Sequence, residues 1–131
     1  RAANEPVVGE DDVYTKEVEI GGNTRFNWTV FRKSSKSYAV TVHVEGFKNW
    51  DKSLSNSYFV LSDEKQYEII TLKVKVPEYP EKRSRTANVI FNFRELNGTS
   101  TYTVEKRASI ELRGLAEEGA AELIERARRD T

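Results

Sequence analysis

Apolar side chains recur at every second position along most of this chain. Phe26, Trp28 and Val30 alternate with Arg25, Asn27 and Thr29. Tyr38, Val40, Val42 and Val44 alternate with Ala39, Thr41, His43 and Glu45. Ile70, Leu72, Val74 and Val76 alternate with Thr71, Lys73 and Lys75, and Pro77 stops the run. Val89, Phe91 and Phe93 follow the same rhythm, and Tyr102 and Val104 resume it after an Asn97-Gly98 turn. Val13 to Ile20 alternates more loosely, with Lys16 on the apolar face, and ends at Gly21-Gly22-Asn23. Successive strand side chains point to opposite faces, so each run has one greasy side and one wet side. Such half-buried strands belong to antiparallel sheets that pack against each other through one face. The expected fold is therefore all-β: an immunoglobulin-like antiparallel β-sandwich of about seven strands spanning residues 13–113.

Both ends of the chain depart from this rhythm. Residues 1–12 hold a Pro, a Gly and the acidic run Glu10-Asp11-Asp12, and are expected to be a flexible lead-in. Residues 114–131 carry Leu115, Ala120, Leu123, Ile124 and Ala127 at helical spacing. Glu117, Glu118 and Glu122 come early and Arg126, Arg128 and Arg129 come late, which suits a helix dipole. A C-terminal amphipathic α-helix is expected there.

The 131 residues fit one domain, since domains run about 100–200 residues. Lys plus Arg and Asp plus Glu number 21 each, and this balance gives no reason to expect nucleic acid as a partner. With no Cys and a single His, thiol catalysis, disulfide scaffolding and Cys-based metal centres are excluded. No window reaches the about 18 consecutive apolar residues of a membrane span. The sequence begins with Arg1 and lacks Met, which points to a processed protein or to a domain excised from a longer one. Absent Cys suits a secreted domain and a cytosolic one equally.

Few residues invite a chemical role. His43 lies mid-strand, out of phase with the Val face, and reads as a surface histidine without a catalytic partner. The acidic pairs Asp11-Asp12 and Asp63-Glu64 lack the spacing of a calcium loop, so no metal is expected. Lys106-Arg-Ala-Ser109 looks like a kinase site but falls in an expected strand. No catalytic residue, metal or cofactor is expected. Asn27-Trp-Thr29 and Asn97-Gly-Thr99 match the N-glycosylation acceptor pattern; Asn97 sits at a turn, whereas Asn27 sits mid-strand. Trp50, in the loop Gly46-Phe-Lys-Asn-Trp-Asp-Lys52, can plug one end of the sandwich or stand exposed as a stacking platform. Tyr79 is a second candidate for stacking on a ligand or partner. Lys73, Lys75, Lys82, Arg83 and Arg85 can form a basic edge, and Lys on an edge strand also blocks aggregation.

The run Phe26-Asn-Trp-Thr-Val30, Tyr38-Ala-Val-Thr-Val-His-Val44, Phe47-Lys-Asn-Trp50, Tyr58-Phe-Val-Leu61, Tyr67-Glu-Ile-Ile-Thr-Leu-Lys-Val-Lys-Val-Pro77 and Thr86-Ala-Asn-Val-Ile-Phe-Asn-Phe93 resembles a known pattern. It is similar to the Ig-like alpha-galactosidase-associated domains and their relatives in prokaryotic, often archaeal, surface proteins. The resemblance covers about residues 24 to 93 and rests on Trp50, Leu61, Pro77 and the strand rhythm. Asp63-Glu-Lys-Gln66 replaces the Gly or Ser turn of those relatives. The resemblance implies a non-catalytic extracellular or cell-surface module and favours Trp50 as a plug.

The expected function is that of a spacer, adhesion or protein-interaction unit, with specificity in loops 46–57, 78–85 and 94–99. Its partners would be another protein or neighbouring domains of the same parent chain. The alternative is a carbohydrate-binding accessory module that takes a glycan on Trp50 and Tyr79.

Overall fold

In a computed structural model, the residues described are 5–9, 13–80 and 85–113. They form nine strands: β1 (Val7–Val8), β2 (Val13–Val18), β3 (Asn23–Phe31), β4 (Tyr38–Gly46), β5 (Asp51–Leu54), β6 (Tyr58–Leu61), β7 (Tyr67–Lys75), β8 (Thr86–Glu95) and β9 (Thr101–Leu112). The first sheet has the order β1-β3-β7-β5 and the second β2-β9-β8-β4-β6. No helix occurs among the described residues. The helix expected over 114–131 lies outside them.

The alternation seen in the sequence becomes the interface between the sheets. Phe26, Trp28 and Val30 of β3 and Ile70, Leu72 and Val74 of β7 form the inner face of the first sheet, all buried. Tyr38, Val40 and Val42 of β4 and Val89, Phe91 and Phe93 of β8 answer from the second, also buried. Trp28 meets Phe91 edge to face across the gap, with ring centroids 6.1 Å apart. Burying each such side chain contributes about 1.5–3 kcal/mol, so this paired stripe supplies most of the drive to fold.

Two expectations are corrected. The strands number nine rather than about seven, and one pair is not antiparallel: β2 runs parallel to β9, from Val13 beside Arg107 to Val18 beside Leu112. A parallel pair needs a long connection between its strands. Here almost the whole domain supplies it, because β2 and β9 come from opposite ends of the sandwich sequence. Within the segment expected as a lead-in, Val7–Val8 pairs with Val30–Phe31, and Val8 is buried.

Consecutive strands from β1 to β8 alternate between the sheets, and two of these steps join an edge strand of one sheet to an edge strand of the other. β1 lies on the first sheet and β2 on the second; likewise β5 pairs with β7 and β6 pairs with β4. Each of these two steps cuts an edge strand short. β1 covers β3 only at its Phe31 end, and β5 covers β7 only from Leu72 to Lys75. Short edges are one way in which sheets avoid pairing with other chains.

Candidate functional site

Trp50 does not stand on the surface. It is 6% exposed, and its ring stacks on Phe47 at 5.2 Å with an 18° interplanar angle. Phe47 in turn packs on Phe26. This corrects the stacking-platform reading of Trp50: the loop turns inward because Gly46 takes φ 136° and Phe47 and Asn49 take φ 47° and 68°. The Trp50 N–H donates to the Phe47 carbonyl at 3.0 Å, closing the turn over the end of the sandwich. Tyr79, by contrast, is 91% exposed in the segment after β7. The two aromatic candidates therefore do not form a common surface.

The remaining candidates are dispersed. Asn27 is exposed on the outer face of the first sheet, where its Oδ1 accepts a hydrogen bond from Thr71 Oγ1 at 2.7 Å. Asn97 is exposed in the turn between β8 and β9. His43 is exposed on β4, with Nε2 3.6 Å from Glu45 Oε2. Among the described residues, no three His, Asp or Glu side chains gather as a metal-binding group.

Sequence reasoning missed Arg32. Its side chain is 5% exposed, and its guanidinium donates to the carbonyls of Ser35 and Lys36 and to Asp63 Oδ1 at 2.5 Å. It ties the β3–β4 loop to the turn after β6. No periodicity marks such a residue, because its partners are main-chain carbonyls and an acid 31 residues away.

The most unusual surface is the outer face of the first sheet. Thr71 accepts from Ser55 N at 2.9 Å and donates its own N–H to Ser55 Oγ at 3.0 Å. Its peptide groups therefore point away from β3, and by strand alternation those of Ile69 and Tyr67 do too. β5 has ended by then, and the chain has turned away to form β6 on the other sheet. Among the described residues, no strand pairs with that side of Tyr67 and Ile69. Their side chains are 57% and 53% exposed. Val7 lies opposite Phe31 and Phe31 opposite Tyr67, so an apolar row crosses the sheet there.

The other end of this face is basic. Arg25 lies directly opposite Lys73, and Lys75 follows on the same face. All three are exposed and, among the described residues, none has an ion-pair partner. They border an open groove of ≈ 560 Å³, with Asp51 as its single acid. The outer face thus grades from apolar, through Asn27 and Thr71, to cationic.

No family model matches the chain, and no curated protein matches it. Solved structures do. The chain is similar to the ASH/PapD-like domain 7 of human CEP192, with TM-score 0.63 and 10% identity over 86% of this chain and 88% of that one. It is also similar to WR4, a Caenorhabditis elegans MSP family member, with TM-score 0.55 and 10% identity over 84% and 99% of the two chains. A family 123 glycoside hydrolase from Clostridium perfringens aligns with TM-score 0.50 and 11% identity over 78% of this chain but only 23% of the enzyme. These likenesses establish an Ig-like two-sheet sandwich of the kind found in PapD-like and MSP domains.

Proposed function

We propose that this domain is a non-catalytic interaction module, acting as a docking or spacer unit of a cell-surface or secreted protein. One observation carries the reading: Tyr67 and Ile69 present exposed apolar side chains beside a strand edge that no described strand pairs with. A strand edge offers main-chain hydrogen bonds to an extended segment, and neighbouring side chains supply specificity. The fold neighbours support it, since one is a PapD-like domain and another an MSP family member. Kinship with alpha-galactosidase-associated domains rests on Trp50, Leu61, Pro77 and strand rhythm alone.

The carbohydrate-binding alternative keeps only Tyr79 of its two aromatics, because Trp50 is enclosed. A glycan attached to the protein itself fits best at Asn97, which lies exposed in a turn.

The test compares two probe sets on isotope-labelled protein by amide NMR. One is a displayed library of extended random peptides, with selected members resynthesised; the other is a panel of neutral oligosaccharides. Selected peptides should move the signals of Gln66–Thr71 and the oligosaccharides should move none. Oligosaccharides that shift the Glu78 and Tyr79 signals, with no peptide selected, would overturn the reading.

A further inference from the structure

We infer that the partner of this module is an acidic polypeptide segment whose charged end lies on Arg25, Lys73 and Lys75 and whose apolar end lies on Phe31, Tyr67 and Ile69. The inference rests on the interaction-module reading and adds the chemistry of the partner.

The cationic end has a cost that the fold does not require. Asn27 and Thr71 form a pair whose peptide groups point outwards from each other, so Arg25 and Lys73, two residues along each strand, do the same. Pairs of this kind bring their Cα atoms to about 4.5 Å, the closer of the two antiparallel spacings. Like charges directly opposite one another are unfavourable in that setting. Lys75 adds a third positive charge, which Asp51 opposes from directly across on β5, so that Arg25 and Lys73 remain the pair without an acid opposite. An incoming carboxylate would relieve this repulsion at the site itself.

The apolar end selects a polypeptide among possible anions. Phe31 and Arg25 are six residues apart on one strand, a span of about 20 Å at 3.4 Å per residue. Tyr67 and Lys73 mark the same span on the next strand. A free phosphate or a single sugar cannot cover both ends. An extended chain of about six to eight residues can, with its apolar side chains at one end and its carboxylates at the other.

The probe is a synthetic peptide of about ten residues, Leu- and Phe-bearing at one end and Glu-rich at the other, long enough to span the face. Its controls are the same peptide with Lys for Glu, a sulfated heparin fragment, and vesicles of phosphatidylcholine with phosphatidylserine. The acidic peptide should bind, weaken several-fold between low and physiological salt, and lose at least tenfold affinity with the paired substitutions Arg25→Glu and Lys73→Glu. Ile69→Ser should weaken it independently, and the Lys peptide should not bind. Failure of the acidic peptide to bind, or binding indifferent to charge reversal, overturns the inference. Preferred binding of heparin or vesicles overturns it equally. If library-selected peptides still engage Gln66–Thr71 while charge reversal has no effect, the interaction module stands and only the acidic partner is lost.

Discussion

Phe47 and Trp50 are stacked in parallel at 5.2 Å, and together they close one end of the sandwich. Both rings belong to the core, with Phe47 fully buried and Trp50 6% exposed. Trp50→Ala should therefore cost stability, about 3–5 kcal/mol by the usual cost of truncating a buried aromatic. Urea unfolding followed by circular dichroism measures this. A mutant as stable as the parent protein would put the ring back on the surface.

Gly46 governs the same corner. A Cβ at this position would lie 2.4 Å from the Thr86 carbonyl oxygen and 2.5 Å from the Ala87 Cα, and the residue has φ 136°. Neither main-chain atom can move aside cheaply. Gly46→Ala should destabilise by more than about 1 kcal/mol, since Ala gains entropy only where the native φ suits it. Gly21 makes the control: it has φ 80° but nothing within 4 Å of its added Cβ, so Gly21→Ala should cost less. Thermal melts of the two variants give the order.

Arg32 and Asp63 share one ion pair but not one role. The Arg32 side chain is 5% exposed and holds two carbonyls besides the acid, whereas Asp63 is 87% exposed. Arg32→Ala should cost about 2–4 kcal/mol, because it strips charge-assisted hydrogen bonds from the two carbonyls and removes buried packing. Asp63→Ala should cost less than about 1 kcal/mol, since solvent screens its side of the pair. Equal losses in denaturant titrations would contradict this division.

The Arg25–Lys73 opposition predicts a substitution that raises stability. Lys73→Glu turns a like-charge cross-strand pair into an opposite-charge one, a gain of about 0.2–1 kcal/mol. The gain should shrink as salt is added, because both groups are exposed. Chemical denaturation at low and high ionic strength reads it directly. A variant no more stable at low salt would remove the repulsion argued for this face.

The core was legible in the sequence because burial on one face imposes a period of two. Phe26, Trp28 and Val30, and likewise Ile70, Leu72 and Val74, point inward as their spacing demands. Two of the rim strands, β1 and β5, were not legible. Asp51–Leu54 carries three exposed residues in four, with Leu54 alone packed against the core, and Val7–Val8 is too short to show any period. The parallel pairing of β2 with β9 joins residues more than 90 positions apart, and nothing local in either strand encodes a parallel neighbour. Lys73 and Lys75 could be assigned to the wet face from their phase alone. That Arg25 stands opposite Lys73 depends on the register between β3 and β7, which only the fold supplies.

The side-by-side, same-direction course of β2 and β9 gives the domain a mechanical character. Tension entering at Val13 and leaving at Leu112 acts at opposite ends of this strand pair. Once the two-residue β1 has come away, every rung from Val13–Arg107 to Val18–Leu112 would be sheared at the same moment, instead of opening in turn like a zipper. A unit strung in line between other parts of a longer chain would resist stretching through that ladder.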